Sequence, residues 1–183
     1  MSDPVHWVLA NVSRVDTRSR LAERVADHLR AQLPDDHIVL ARYAPRDRGD
    51  RIPVVIVGRE RVFVIEPRDD DGALVCYQDH WYRRVGPGIA HPLGDAPSLR
   101  ARRNRERVRS DLGTGGFITV HIEPLVLLTR GTPDDVRSSC VPVIAGIDAL
   151  ARHVVHGIAA LPAPEHTRAV ADALARNIKL ASA

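Results

Sequence analysis

Ile52 to Arg68 reads IPVVIVGRERVFVIEPR, and this stretch decides the fold. Two apolar runs, Ile52 to Gly58 and Arg61 to Glu66, lie on either side of a short turn at Gly58-Arg59-Glu60. Runs of this length and composition around a glycine-containing turn are typical of a β-hairpin. The second run ends in Glu66-Pro67-Arg68, an acid and a base two residues apart. The sequence therefore predicts a buried hairpin with charged side chains where its second strand ends.

The segments around the hairpin predict helices on both sides of a sheet. Amphipathic helices are predicted over Arg20 to Leu33, capped by Ser19, and over Ser98 to Leu112. Gly86 to Pro97 is rich in proline and glycine and is predicted to be a loop. Further strands are predicted over His37 to Ala44, Ala73 to Gln78, Trp81 to Val85, Phe117 to Ile122, Pro124 to Thr129 and Val141 to Ala145, with closing helices over Asp148 to His156 and Glu165 to Leu180. The order helix, three strands, helix, strand indicates an α/β fold with a mixed sheet flanked by helices.

Length and composition indicate one domain of ordinary size. We expect a single domain over residues 1–183, with a core at about 20–130 and a C-terminal strand and helices at 141–181. No apolar run approaches the roughly 18 residues of a membrane helix, and the N-terminus lacks a signal-peptide pattern, so a cytoplasmic protein without membrane contact is expected. Cys76 and Cys140 lie in apolar segments without metal-type spacing, which predicts buried free thiols.

Four blocks of sequence, in order, match the pattern of a known family. The chain resembles the nuclease-related domain (NERD) family, a branch of the PD-(D/E)xK phosphodiesterases. That family shows Gly-Glu in the first helix, Ile-Asp entering a Val-Val-Val-Gly strand, a Val-Phe-Val-Ile-Glu-x-Lys strand, and an Asn-Pro-x-x-Gln-Ala-x-x-Asn helix. The matching blocks are Ala22-Glu23, Ile52 to Gly58, Val62 to Arg68 and Ala96 to Asn104, and Trp81 also fits. The resemblance covers roughly residues 20 to 130, with bounds good to about two to four residues.

The resemblance implies a restriction-endonuclease-like core and a phosphodiester substrate. Its site residues would be Glu66, Arg68 and Glu23 in the catalytic positions, with Glu66 and Glu23 as ligands of a Mg²⁺ ion if the site is active. Magnesium is held by one or two carboxylates with phosphate and water, so these two acids can make at most a weak site.

Of the positions that depart from the family pattern, three bear on cleavage. Pro53 replaces the acid that enters the strand, Arg68 replaces the lysine, and Arg100 replaces the usual glutamine. A guanidinium stays charged, so Arg68 can clamp a phosphate but cannot act as a base. Asp50 lies three residues before Pro53, and in an extended strand its side chain would point to the opposite face. We expect a degenerate site that binds phosphate better than it cuts.

Arginines are concentrated in the second predicted helix. Arg100, Arg102, Arg103 and Arg107 are candidate nucleic-acid contacts, because such density engages a phosphate backbone. The alternative is an ordinary solvated helix in an arginine-biased chain, since Lys179 is its single lysine.

The other candidates also have structural alternatives. Glu66 and Arg68 point to one side of a strand and could form a surface ion pair. Glu23 could simply be an exposed residue on the solvated face of a helix. His153 and His156 lie one helical turn apart without a third ligand of suitable spacing, so ordinary helix histidines are favoured over a metal site.

Taken together, the residues and the resemblance predict a catalytically degenerate nuclease that binds nucleic acid or phosphate, with DNA as the expected partner. One alternative is an active Mg²⁺-dependent DNA nuclease that uses Glu23 and Glu66. The other is a protein-interaction module with a vestigial site, whose partner would be another protein or a second copy of the chain.

Overall fold

A computed structural model describes residues 4–156 and 164–180, with side chains described over 17–156 and 166–176. Its elements, in chain order, are α1 (Pro4–Gln32), β1 (Ile38–Tyr43), β2 (Ile52–Val57), β3 (Arg61–Arg68), β4 (Ala73–Tyr77), β5 (His80–Gly86), β6 (Ile89–Pro92), α2 (Pro97–Thr114), β7 (His121–Leu128), β8 (Thr132–Asp135), β9 (Val143–Ala145), α3 (Ile147–Val155) and α4 (Pro164–Leu180). Among these, no helix is long and apolar enough to cross a membrane.

The strands of the described residues form two sheets. The larger sheet has the order β1-β2-β3-β7-β9, and the smaller one has the order β6-β5-β4-β8. In the larger sheet β1, β2 and β3 are antiparallel neighbours, whereas β7 runs parallel to β3 and β9 runs parallel to β7. The crossover from β3 to β7 contains α2. This arrangement confirms the predicted α/β class with a mixed, helix-flanked sheet, and it is consistent with a restriction-endonuclease-like core.

The hairpin is apolar on both faces because helices cover both faces of the sheet. Val54 and Ile65 pack with α1 and α3 in one buried cluster. Their neighbours Val55 and Val64 belong to a second cluster with residues of α2 and α4. A strand buried on both sides reads as a continuous hydrophobic run, which is the pattern that predicted the hairpin.

The first helix is longer than predicted. Ser19 is not its cap, because α1 begins at Pro4 and continues through that position. No glycine or proline follows Pro4 before the end of the helix, and proline suits the first helical turn. At the other end of the chain, the predicted closing helix is α4, which buries Val170, Ala173 and Leu174.

Two strand predictions need correction. The segment predicted as a loop contains β6, which pairs antiparallel with β5 across a tight turn in which Gly88 has a φ of 70°. The glycines and prolines marked the turn and hid the short strand beside it. The strand predicted over Phe117 to Ile122 is wrong over residues 117–120, which form a turn, and its last two residues join the next predicted strand in one strand, β7. Pro124 does not break it, because the part of β7 that pairs with β9 starts only at Val126.

The prediction that Cys140 is buried was also wrong. Cys140 is exposed, whereas Cys76 is buried as predicted, and both are free thiols. Cys140 lies on the segment after β8, a strand that the sequence did not predict, and its backbone N–H donates to Asp79 Oδ1 at 2.9 Å.

The pairing of β1 with β2 is interrupted beside the site described below. Ala41 pairs with Val54 and Tyr43 pairs with Ile52, but Arg42 and Pro53 between them form no pair. Pro53 has no N–H to donate, and Arg42 adopts a φ of 52°, a left-handed conformation that is uncommon for a residue with a side chain. The interruption places both residues on the wall of a cavity.

The Tyr43 hydroxyl joins this end of the sheet to α2. It donates to Asp111 Oδ2 at 2.6 Å, and both side chains are buried. We expect Tyr43→Phe to lower the free energy of unfolding by roughly 1–3 kcal/mol, because a buried carboxylate loses a hydrogen-bond donor. Urea denaturation measures this, with Tyr77→Phe as the control because Tyr77 is 62% exposed. Equal stability of the two variants would contradict the prediction.

Candidate functional site

A cavity of about 870 Å³ opens between α1, the loop after β1, the start of the hairpin and α2. Among the described residues its wall carries twice as many basic as acidic side chains. The arginines are Arg18, Arg42, Arg51, Arg100, Arg103 and Arg107, and the acids are Asp47, Asp50 and Glu66. A concave wall with an excess of one sign of charge focuses the electrostatic potential, so the excess of arginine favours anions over cations in this cavity.

Glu66 lies at the floor of the cavity, near the end of β3, and its side chain is only 5% exposed. Its partner is Arg100 on α2. Arg100 donates from Nε to Glu66 Oε1 at 2.9 Å, and Nη2 lies 2.9 Å from the same oxygen. Burial raises the pKa of Glu66, and the charge and hydrogen bond of Arg100 oppose that rise. The acid that the sequence singled out is therefore present and covered by a cation.

Asp95 collects three arginines on one oxygen. Its Oδ2 accepts from Arg18 Nη2 at 3.0 Å, from Arg100 Nη1 at 3.1 Å and from Arg68 Nη1. Burial acts to raise the pKa of Asp95, but Arg68 and Arg100 outweigh it and hold that pKa below its usual value. Asp95 thus links α1, β3 and α2 beside the cavity.

Arg68 does not pair with Glu66, so the alternative of a surface ion pair between them is wrong. Glu66 is buried, and the guanidinium of Arg68 is held between Asp70 and Asp95, with Nε 2.7 Å from Asp70 Oδ2. Arg68 is also absent from the cavity wall.

Glu23 lies on the exposed side of α1. Its Oε1 accepts from Arg42 Nη1 at 3.2 Å, and its side chain is 52% exposed. Arg42 lines the cavity, but Glu23 does not. The structure therefore does not bring Glu23 and Glu66 together on one wall.

The four candidate arginines of α2 have different surroundings. Arg100 is bound to Glu66 and Asp95, as described above. Arg102 is exposed, lies near Asp79 and does not line the cavity. Arg103 is exposed on the cavity wall and makes no hydrogen bond or ion pair with any residue that the structure describes.

Arg107 clamps the loop between β1 and β2. Its Nε and Nη2 donate to the two carboxylate oxygens of Asp47, each at 2.7 Å, and Nη1 donates to the carbonyl oxygen of Asp50 at 2.7 Å. A Cβ at Gly49 would lie 2.6 Å from Arg107 Nη2, so the glycine lets the loop lie directly against the guanidinium. Arg107 positions the loop and has little capacity left for a ligand.

The carboxylates of the cavity do not fit a magnesium site. Pro53 stands at the strand position where an acid would be needed, and Glu66 Oε1 is engaged by Arg100. Asp50 does line the cavity, because β2 begins only at Ile52 and the extended-strand argument against Asp50 does not apply to a loop. Three acids among six guanidiniums, two of them engaged by arginines, are still a poor donor set for a hard cation. Within the described residues, no group of three or more His, Cys, Asp or Glu side chains could hold a metal ion.

Several residues of the site were missed by the sequence analysis. Asp95 was placed in a featureless loop, although an acid just before a helix that begins with proline is a weak signal. The loop over residues 46–51 alternates arginine and aspartate, and that pattern could have identified it as part of a charged wall. Of the two histidines considered as metal ligands, His153 contacts a carboxylate of β7, with Nε2 2.8 Å from Glu123 Oε1.

Comparison with known proteins gives one match. A model of the family described as nuclease-related domain (NERD) matches residues 18–129, which is more than half of the chain. That range contains every residue that lines the cavity. No curated protein and no solved structure matches the chain significantly.

The clamp between Arg107 and Asp47 predicts a pH dependence of stability. The hydrogen bonds from Arg107 lower the pKa of Asp47 to about 2. Because the folded-state pKa is the lower one, the clamp stabilises the fold above the unfolded-state pKa of about 4 and loses that effect as the pH falls through the folded-state pKa. We expect Asp47→Asn to lower the free energy of unfolding at neutral pH by less than about 1 kcal/mol, since the side chain of Asp47 is half exposed.

Urea denaturation of wild type and Asp47→Asn, at neutral pH and again at a pH near the lowered pKa of Asp47, tests this pH dependence. The difference between wild type and variant should disappear at the acidic pH. Asp35→Asn is the control, because Asp35 is exposed and makes no ion pair within the described part of the chain. A difference that persists unchanged in acid would refute the clamp.

Proposed function

The chain belongs to the nuclease-related domain (NERD) family, and from that premise we propose that it binds the phosphate backbone of nucleic acid in the cavity above Glu66 without cutting it. The protein would act in the cytoplasm as a degenerate nuclease. DNA is the nucleic acid we propose first.

One observation carries this proposal, namely the contact between Arg100 and Glu66. A metal-dependent nuclease needs a carboxylate whose oxygens face the metal, so that the ion can hold the phosphate and activate water. Here a guanidinium that stays charged at every physiological pH lies 2.9 Å from Oε1. A divalent cation would have to displace Arg100 and would then lie close to its positive charge.

The charge of the cavity supports phosphate binding. Arg103 has no acidic partner among the described residues, and Arg51 donates only to the backbone carbonyl of Arg42. Both guanidiniums can therefore turn to a ligand without breaking an ion pair. Phosphate contacts of this kind give salt-sensitive affinity that depends little on base sequence.

The active-nuclease alternative has less support. It needs Glu23 and Glu66 on one metal ion, yet Glu23 pairs with Arg42 and is not on the cavity wall. The interaction-module alternative leaves the unpaired arginines of the wall without a role. It predicts that DNA does not bind, which the experiment below tests directly.

Binding and cleavage can be recorded in the same samples. We expect wild-type protein to bind labelled DNA in a salt-sensitive manner and to leave it intact with Mg²⁺ or Mn²⁺. Arg103→Gln should weaken binding by about fivefold to tenfold and lower the salt slope by about one, because it removes one phosphate contact. Arg109→Gln is the matched control, since Arg109 lies on the same helix, is exposed and does not line the cavity.

Other outcomes would favour the alternatives. Metal-dependent cleavage that is lost in Glu66→Gln would make the protein an active nuclease. Absence of binding by wild-type protein would favour the interaction module.

A reconstructed site provides a second test. The resemblance places aspartate, lysine and glutamine where this chain has Pro53, Arg68 and Arg100. We expect the triple variant Pro53→Asp, Arg68→Lys and Arg100→Gln to gain Mn²⁺ binding by calorimetry and metal-dependent cleavage, because the carboxylate of Glu66 is then uncovered beside a second acid. Adding Glu66→Gln should remove both gains. A folded triple variant that binds DNA but neither binds metal nor cuts would show that the block lies elsewhere.

A further inference from the structure

A second cavity, of about 520 Å³, lies against the C-terminal part of α2 and the loop after β1. Three residues, Asp47, Arg103 and Arg107, line both this cavity and the one above Glu66. The two cavities are therefore adjacent and separated by the clamp between Arg107 and Asp47. Arg46 lines only the second cavity, and Arg51 lines only the first.

Each acid on the wall of the second cavity already has a partner. Asp111 accepts from the Tyr43 hydroxyl at 2.6 Å and from the backbone N–H of Arg46 at 3.3 Å. Asp47 is held by Arg107 through two hydrogen bonds. Glu106, the remaining acid, accepts from Arg105 Nε at 2.7 Å.

The basic residues of this wall are not all used. The side chain of Arg46 makes no hydrogen bond or ion pair with the residues that the structure describes, and the same holds for Arg103. Arg107 and Arg105 balance the charges of Asp47 and Glu106, whereas Asp111 keeps its negative charge because its donors are neutral. The exposed guanidiniums of Arg46 and Arg103 outnumber that one carboxylate, so the wall of the second cavity keeps an excess of positive charge. The hydroxyl of Ser110 adds a neutral donor to the same wall.

We propose that the second cavity is a second phosphate subsite, so that the ligand is a polynucleotide strand with one phosphate above Glu66 and another beside Arg46. This inference rests on the proposed function and extends it from phosphate recognition to recognition of strand length. Arg103, on the wall shared by both cavities, contacts the backbone between the two subsites. A mononucleotide or dinucleotide fills only the first cavity.

Three arginines in the loop after β1 allow the two subsites to be tested individually. Arg51 belongs to the first cavity, Arg46 to the second, and Arg48 to neither. We would measure the affinity of wild type, Arg51→Gln, Arg46→Gln and Arg48→Gln for fluorescent oligodeoxythymidylates, from a dinucleotide to a strand long enough to span α2. Glutamine keeps the length of the side chain and removes its charge.

The expected pattern differs between the variants. Arg51→Gln should lower the affinity for every oligonucleotide, since Arg51 belongs to the subsite that even the dinucleotide occupies. Arg46→Gln should weaken only the long strands, by about fivefold to tenfold, and should lower their salt slope by about one, as expected for one lost phosphate contact. Arg48→Gln should match wild type at every length.

Two kinds of failure are distinguishable. If Arg46→Gln matches Arg48→Gln on long strands while Arg51→Gln binds weakly, the second subsite is refuted and the proposed function stands. The same conclusion follows if Arg46→Gln weakens the dinucleotide as much as the long strand. If wild-type protein binds no oligonucleotide of any length, the proposed function fails and the second subsite fails with it.

Discussion

The ion pair between Glu66 and Arg100 is the constraint on which the site depends. A buried carboxylate without a partner is costly, and removing one member of such a pair typically destabilises a protein by about 3–5 kcal/mol. The pair therefore fixes the position of α2 against β3. Because Arg100 also donates to Asp95, and Asp95 accepts from Arg18 and Arg68, the same constraint reaches α1 and the end of β3. The shape of the cavity follows from this network.

The arginines of the site divide into two groups with different physical roles. Those with acidic partners, such as Arg68, Arg100 and Arg107, hold elements together and contribute little net charge. Those without acidic partners in the described part of the chain, such as Arg46 and Arg103, remain available to a ligand. Density of positive charge in a helix is thus a poor guide to binding, since it does not distinguish the two groups.

A family scaffold can keep its fold while the chemistry of its site changes. The hairpin, the crossover helix and the buried acid of a nuclease-related domain are all present here, whereas the residues around that acid are basic. Function resides in the site and not in the fold, so membership of the family alone does not decide the reaction. The arginine-lined cavity with its covered carboxylate is the basis of the proposed phosphodiester binding.

The sequence by itself determined the elements whose pattern is local. The apolar hairpin, the amphipathic helices and the acid at the end of β3 were all predicted, because side-chain periodicity and turn residues report directly on local structure. Short strands such as β6 and β8 were missed, since four residues with little burial carry almost no pattern and depend on their neighbours in the sheet.

Only the tertiary structure decided the partners of the charged residues. The sequence offered Arg68, two positions away, as an alternative partner of Glu66, but the partner is Arg100, which lies 34 positions further along the chain on the crossover helix α2. Asp95 and the loop over residues 46–51 entered the site in the same way. Ion pairs form between side chains that the fold brings within a few ångströms, and separation along the chain contains no information about that distance.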